Sequence, residues 1–250
     1  MFEIIDHDSI RELRIARPPV NALSPELIAG LRKAIEDAPG MGIEAMILSG
    51  RPGMFSAGLD VPHLLGLDRD AIAPFLDNLF GLMRAIALAP VPIAAAVTGH
   101  SPAGGAIMAI FCDTRIMAEG SYKIGFNEVE VGLPVPGVVY RALERRVGAR
   151  QAERLCLSGS LITADEAYEI GFVDALAPAE KVAERALTWC QKLLALPPTA
   201  VRKTRQVTRQ DLHRAFEELQ VQTELFVDAW FSDETQGAMR ALVARLAERK

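Results

Sequence analysis

Two short runs of small residues carry the clearest chemical signal in this chain. They are Phe55-Ser56-Ala57-Gly58-Leu59-Asp60 and Ser101-Pro102-Ala103-Gly104-Gly105. Each follows an apolar segment, and each leaves one backbone N–H free to point at a ligand. Two such donors meeting on one carbonyl oxygen make an oxyanion hole, a site for enolate or tetrahedral chemistry. Ala103-Gly104-Gly105 also opens a helical pattern. Free N–H groups and the positive end of the helix dipole favour negative charge there. Taken singly, each run reads more readily as an ordinary tight turn. The pair points to chemistry without naming a reaction.

A third run, Gly125-Phe126-Asn127-Glu128-Val129-Glu130-Val131-Gly132, sets acids among apolar neighbours. A carboxylate there is poorly solvated, which raises its pKa toward the range of a useful base. Read as a strand, the run puts Glu128 and Glu130 on one face, so periodicity does not choose between them. Two exposed acids on a sheet edge are the plain alternative. His7, His63, His100 and His213 are weaker candidates. His100, just before the second glycine run, fits a local hydrogen bond better than catalysis. No Ser-His-Asp arrangement and no metal-ligand spacing is readable. Cys112, Cys156 and Cys190 fit neither a zinc site nor a disulfide framework. Reduced, buried thiols in a cytoplasmic protein are expected.

The elements that must position these residues follow from pattern. Residues 2–16 alternate as two short strands. Ser24-Pro25-Glu26 starts a helix with a Ser cap and Pro in its first turn, running to about Ala38. Strands are expected over Ala45–Ser49, Val91–Val97, Arg115–Ala118 and Tyr122–Gly125. Asp70–Leu88 reads as a helix, and Ser101-Pro102 as the opening of another through Cys112. Interleaved strands and helices up to about residue 135 argue α/β. Beyond that point helices dominate: Val138–Val147, Ala149–Leu157, Thr163–Ile170, Ala179–Leu196, Thr199–Arg209, Leu212–Trp230 and Glu234–Arg249. Thr163-Ala164-Asp165-Glu166 is a capping box. Phe172-Val173-Asp174 reads as a short strand. Pro197-Pro198 marks the clearest boundary, dividing a core over residues 1–196 from a helical region over 197–250. In that region Leu212, Ala215, Phe216, Leu219, Phe226 and Trp230 form an apolar face. The face needs its own core or another subunit to cover it.

Composition bounds the partners. The 250 residues are 50% hydrophobic, enough to bury a large core. The net charge is -5 with no basic stripe, which argues against nucleic acid. Arg145-Arg146 and Arg202-Lys203 read as solvated helix faces or local contacts to an anion. The start, Met1 to Asp6, shows no signal-peptide pattern. The most apolar run, Ile86–Val97, is interrupted by Pro90 and Pro92 and is too short to span a membrane.

Several motifs then converge, in order, over essentially the whole chain. Asn21-Ala22-Leu23, the two glycine runs, Cys112-Asp113, Asn127-Glu128 and Gly171-Phe172-Val173-Asp174 resemble the enoyl-CoA hydratase/isomerase (crotonase) superfamily. Within it, Arg51 to Asp60, Ser101 to Gly105 and Tyr122 to Glu128 are most similar to the mitochondrial-type 3-enoyl- to 2-enoyl-CoA isomerases. The resemblance implies an α/β spiral of ββα turns with a C-terminal helical region that builds trimers or dimers of trimers. Leu59 and Gly104 would supply the oxyanion amides. The backbone around Ala57 and Gly58 would meet the CoA adenine, and Asp60 would support that loop. Glu128, preceded by Asn127, falls at the catalytic carboxylate, which separates it from Glu130. Related hydratases carry a second Glu where this chain has Ile107.

The resemblance therefore implies an acyl-CoA isomerase in metabolism of the fatty-acid β-oxidation type. A hydratase is the runner-up, and a hydrolase or CoA-thioester binder on the same scaffold is the third reading. The acyl-CoA thioester would be the substrate, so coenzyme A arrives with it and no separate cofactor or metal is expected. Neither nucleic acid nor membrane is an expected partner.

Overall fold

The computed structural model describes residues 1–220 and 223–248. Its larger sheet runs, in spatial order, β1 (Phe2–His7), β2 (Ile10–Ile15), β3 (Ala45–Ser49), β5 (Ile93–Val97), β7 (Thr114–Ala118) and β10 (Ala175–Ala177). The first pair is antiparallel and every later pair parallel. A second sheet runs β4 (Gly53–Met54), β6 (Gly99–Pro102), β8 (Lys123–Gly125) and β9 (Ile162–Thr163). The chain feeds the sheets alternately, β3 then β4, β5 then β6, β7 then β8. Each pair is followed by helical structure, giving the ββα spiral that the motifs imply.

Strands β3 and β5 are buried along their whole length, as parallel strands covered on both faces must be. On one face Leu13, Met46, Leu48, Ala95 and Val97 join the main core. That side holds α1 (Pro25–Asp37), α3 (Arg69–Leu88) and α4 (Gly104–Phe111). On the other face Ala45, Ile47, Ala94 and Ala96 meet Val182, Ala186 and Cys190. Those three lie on α8 (Val182–Leu194). The cap expected at α1 is present: Ser24 Oγ accepts the Leu27 N–H at 3.3 Å. Helix α3 is long and apolar enough to cross a membrane. Its Ile72, Phe75, Leu76, Leu82 and Met83 are instead buried, with the helix packed on α1 and α4.

The remaining helices are α2 (Val61–Leu64), α5 (Gly137–Val147), α6 (Ala149–Ser158), α7 (Ala164–Glu169), α9 (Pro198–Thr208), α10 (Gln210–Gln220), α11 (Thr223–Trp230) and α12 (Asp233–Ala247). The Thr163–Glu166 capping box opens α7. Several expectations need correction. Ser101 and Pro102 belong to strand β6, and the helix starts only at Gly104. Phe172 to Asp174 is a bend, with the strand displaced to Ala175–Ala177. Asp174 is taken by Arg115, whose N–H reaches Asp174 Oδ2 at 2.8 Å while its buried guanidinium pairs with the same oxygen. The expected helix over 212–230 is helical up to Gln220 and from Thr223 to Trp230, and Val221 and Gln222 lie outside the described residues.

The apolar face of the C-terminal helices is covered by the same chain. Leu212, Phe216, Leu219 and Trp230 are buried in the main core, with α10 on α5 and α11 on α3. Phe216 packs against Phe111 with ring centroids 5.4 Å apart, and Phe226 against Phe80 at 5.3 Å. Arg145 lies on the exposed surface but is paired. It donates to Asp211 at 2.6 Å and to the Thr208 carbonyl at 2.6 Å, tying α5 to the start of α10.

Candidate active site

The parallel register of the small sheet brings the two glycine runs together. Met54 pairs with His100, and the Phe55 N–H continues the ladder to the His100 carbonyl at 3.0 Å. Both chains then leave the sheet. Gly58 turns with φ +83. A Cβ there would lie 3.0 Å from Ala103 Cβ and 3.2 Å from the Gly104 nitrogen. The two runs are therefore in backbone contact, and glycine at 58 permits both the turn and the approach.

Two amides at this junction have no acceptor among the described residues. Leu23 forms a parallel bridge to Leu59. It uses both of its own groups: its N–H donates to the Gly58 carbonyl at 2.8 Å, and its carbonyl accepts from Asp60 at 3.1 Å. In that pattern the Leu59 N–H faces away from Leu23. The Gly104 N–H is the first of helix α4 and belongs to the set a helix leaves unpaired. Ala103, before it, holds φ +47 and ψ -121, a region that side chains other than glycine rarely occupy. Its own N–H is committed to the Gly125 carbonyl at 2.8 Å. The strain sets the direction of the next peptide, the one that carries the Gly104 N–H.

Asp60 caps α2 through the His63 N–H at 3.4 Å and pairs with Arg17 at 2.6 Å. The Ala57 N–H donates to the Val20 carbonyl at 3.0 Å. Asn21 is the residue whose role sequence reasoning missed. It is buried, with φ +54. Its amide donates to the Met54 carbonyl at 3.1 Å and the Phe55 carbonyl at 3.2 Å. Its side-chain oxygen accepts from the Arg17 N–H at 3.0 Å, and its carbonyl accepts from Ser56 Oγ at 2.8 Å. The Asn-Ala-Leu run marked the position, but nothing local revealed a clamp on a loop more than thirty residues away.

The acidic run is a short 3-10 turn, Glu128–Val131, and not a strand. That geometry separates the two acids. Glu128 is buried, while Glu130 is exposed and accepts from Asn127 Nδ2 at 3.2 Å. Burial pushes the Glu128 carboxyl up to about 7, opposed only by a backbone hydrogen bond. No cation and no second carboxylate contributes to that shift. Glu128 Oε2 and Asn127 Oδ1 are buried without a partner among the described residues. Burial, with a smaller contribution from the nearby Glu128 charge, raises the Cys156 thiol to about 11. The thiol therefore stays neutral and returns no charge to the acid. Ile107 is buried one helical turn beyond Gly104.

The register also joins the segments that carry Gly104 and Glu128. Ser101 pairs with Ile124 and Pro102 with Gly125, so the strands that lead into Gly104 and into Glu128 are hydrogen-bonded neighbours. Neighbouring strands lie about 4.8 Å apart. This arrangement can take an anionic oxygen on two amides and a proton on one poorly solvated carboxylate. Among the described residues no cluster of three His, Cys, Asp or Glu is arranged to hold a metal.

Comparison with known proteins gives the same direction. A family model described as enoyl-CoA hydratase/isomerase matches residues 6–248. Human mitochondrial enoyl-CoA delta isomerase 1 is 32% identical over 244 residues, covering 95% of this chain and 80% of that protein. A putative enoyl-CoA hydratase from Thermus thermophilus is 35% identical over 193 residues, covering 75% of each chain. The crystal structure of human mitochondrial delta3-delta2-enoyl-CoA isomerase matches with a TM-score of 0.93 at 30% identity, covering 100% of this chain and 99% of that one.

Proposed function

The chain belongs to the enoyl-CoA hydratase/isomerase family, and from that premise we propose that it is an isomerase that converts a 3-enoyl-CoA thioester to the 2-enoyl isomer. One observation carries the choice of reaction. Glu128 is a buried carboxylate with a pKa near 7 and no second acid contributing to that shift, and the resemblance puts Ile107 where related hydratases carry their other Glu.

Glu128 takes the proton from C2. The electron pair of that C–H bond forms a C1–C2 double bond, and the carbonyl pair moves onto the thioester oxygen. The Leu59 and Gly104 amides hold that oxyanion, each worth about 10² to 10³ in rate. The oxyanion pair then re-forms the carbonyl, the C1–C2 pair shifts to make the C2–C3 double bond, and the C3–C4 pair takes the proton back from Glu128 at C4. One carboxylate serves both transfers, since both carbons belong to one conjugated system. Hydration would need a held water, for which Ile107 provides no polar group. A dry pocket also protects the dienolate from stray protonation.

Ala57 and Gly58 offer backbone to the adenine end of CoA, Asp60 keeps their loop in place, and Asn127 precedes the base. Coenzyme A enters as part of the substrate, and the proposed step uses no other cofactor. The match to the human isomerase runs through the C-terminal helices, whereas the hydratase match covers 75% of the chain. That supports the isomerase reading.

The decisive assay follows absorbance of the conjugated enoyl thioester. With 3-enoyl-CoA the isomerase creates the chromophore. A hydratase would consume it from 2-enoyl-CoA, a thioesterase would release free thiol from saturated acyl-CoA, and a binder would do none of these. Faster loss of 2-enoyl-CoA than gain from 3-enoyl-CoA would overturn the assignment.

Three further readings belong to this proposal. The region over 197–250 serves a trimer or dimer of trimers, and sedimentation of a monomer at micromolar concentration would contradict it. The exposed Val207 and Leu196 near α9 are the apolar surface offered to a neighbour. The location is cytoplasmic, supported by the three free, buried cysteines. The human, rat and mouse enoyl-CoA delta isomerases 1 are mitochondrial, so cell fractionation decides.

A further inference from the structure

Among the described residues no side chain holds the Glu128 carboxylate: one oxygen is buried without a partner, and no cation pairs with it. Its position must come from the backbone of its turn. The leading end of that turn is tied to the oxyanion loop through the Ala103–Gly125 bond. The trailing end is Gly132, with φ +77, whose N–H closes the turn onto the Val129 carbonyl at 3.2 Å. Leu133 adds a bond to the Glu128 carbonyl at 3.1 Å.

The Gly132 carbonyl is gripped from a distant part of the chain. Thr235, in the first turn of α12 and almost fully buried, donates from Oγ1 to that carbonyl at 2.8 Å. The contact leaves no slack, since a Cβ on Gly132 would lie 2.8 Å from both Thr235 Cα and Thr235 Oγ1. Thr235 is itself held. Ser232, the N-cap of α12, accepts the Thr235 N–H at 3.2 Å and lies 3.0 Å from Thr235 Oγ1. A solvent-filled gap would suit a loose cover. A buried, doubly anchored hydroxyl on a single carbonyl suits a positional lock.

We propose that Thr235 is a positioning residue for Glu128, its hydroxyl fixing the turn that carries the carboxylate through the Gly132 carbonyl. This rests on Glu128 being the base. It makes the C-terminal helix of each chain a working part of that chain's own site. The hydroxyl touches no reacting atom, so its effect falls on turnover and not on thioester binding. Misplacing a catalytic group by about 1 Å costs up to about a hundredfold.

The test compares Thr235→Val, Thr235→Ser and Ser232→Ala with the unaltered full chain in the 3-enoyl-CoA assay. Thr235→Val keeps shape and removes the donor; kcat should fall roughly ten- to a hundredfold while KM changes less than about threefold. Thr235→Ser restores the donor and should recover most of kcat. Ser232→Ala leaves Thr235 in place but frees its hydroxyl, and should lower kcat severalfold at unchanged KM. It carries the test if Thr235→Val does not fold. Normal kcat in a folded Thr235→Val, or in Ser232→Ala where Thr235→Val fails to fold, overturns the proposal. Equal loss in the Val and Ser variants also overturns it. Glu128→Gln separates the two readings. If that variant is active, the base assignment has failed. If it is inactive while Thr235→Val is normal, only the positioning role has failed.

Discussion

The Ala103 N–H donates to the Gly125 carbonyl at 2.8 Å, joining the loop that presents the Gly104 amide to the strand that leads into Glu128. The bond ties the proposed oxyanion donor and the proposed base, which come from separate ββα turns, through one backbone contact. It also explains why Ala103 tolerates φ +47: the peptide on its N-terminal side is anchored, so the one after it can be turned toward substrate.

The pH dependence of turnover follows from Glu128. Its pKa near 7 means that the basic form is lost below neutrality. With 3-enoyl-CoA, kcat/KM should fall about tenfold per pH unit below roughly pH 6 and level off above roughly pH 8. Glu128→Gln should lose at least about 10² in kcat at pH 8, where the unaltered carboxylate is ionised, with acyl-CoA binding kept. A profile centred near 4.5, the ordinary glutamate value, would mean that the carboxylate is solvated in the working enzyme.

The same burial makes a stability prediction of opposite slope. The folded chain holds the Glu128 proton up to about pH 7, and the unfolded chain releases it near 4.5. Between these values the folded state binds more protons, so stability falls as pH rises, and above about 7 the loss is complete. The full loss is roughly 3 kcal/mol. Glu128→Gln carries no such proton. In denaturant titrations it should match the unaltered protein near pH 4 and exceed it at pH 8. Parallel curves across that range would refute the desolvation account.

Position 107 tests the choice of reaction. Ile107→Glu puts a second acid one turn from Gly104, able to hold a water against C3 of a 2-enoyl thioester with Glu128 as its partner. Burying a charge among apolar groups costs on the order of a few kcal/mol unless water follows it. The expected result is a modest gain of hydration, read as loss of the conjugated chromophore. A folded variant with no gain at any pH would mean that residue 107 does not face the reacting carbons.

Asn21 tests the support of the Leu59 amide. Asn21→Ala leaves the Met54 and Phe55 carbonyls without their buried donor and puts alanine at φ +54. A loss of about 2–3 kcal/mol in unfolding free energy is expected, with kcat reduced more than KM is raised. Asn21→Gly removes the same hydrogen bonds but relieves the backbone, and should be the milder of the two in stability. If alanine and glycine cost the same, the backbone contribution is nil.

Much of this molecule was legible in local pattern. The Ser24 cap, the buried runs at Ala45–Ser49 and Ile93–Val97 and the Thr163–Glu166 box each state their structure within a few neighbouring residues. The two glycine runs announced amides that a helix start or a bridge leaves unpaired. Periodicity alone left Glu128 and Glu130 equivalent, because a two-residue spacing puts both on one face of a strand. The tertiary structure separated them by winding the segment into a 3-10 turn, where that spacing points apart. Ser101-Pro102 was drawn from a helix into a strand by pairing with Ile124 and Gly125. The locks at Asn21 and Thr235 had no local signature. Each is one hydrogen-bonding side chain meeting a carbonyl far away in sequence, and only the packed chain determines which carbonyl that is.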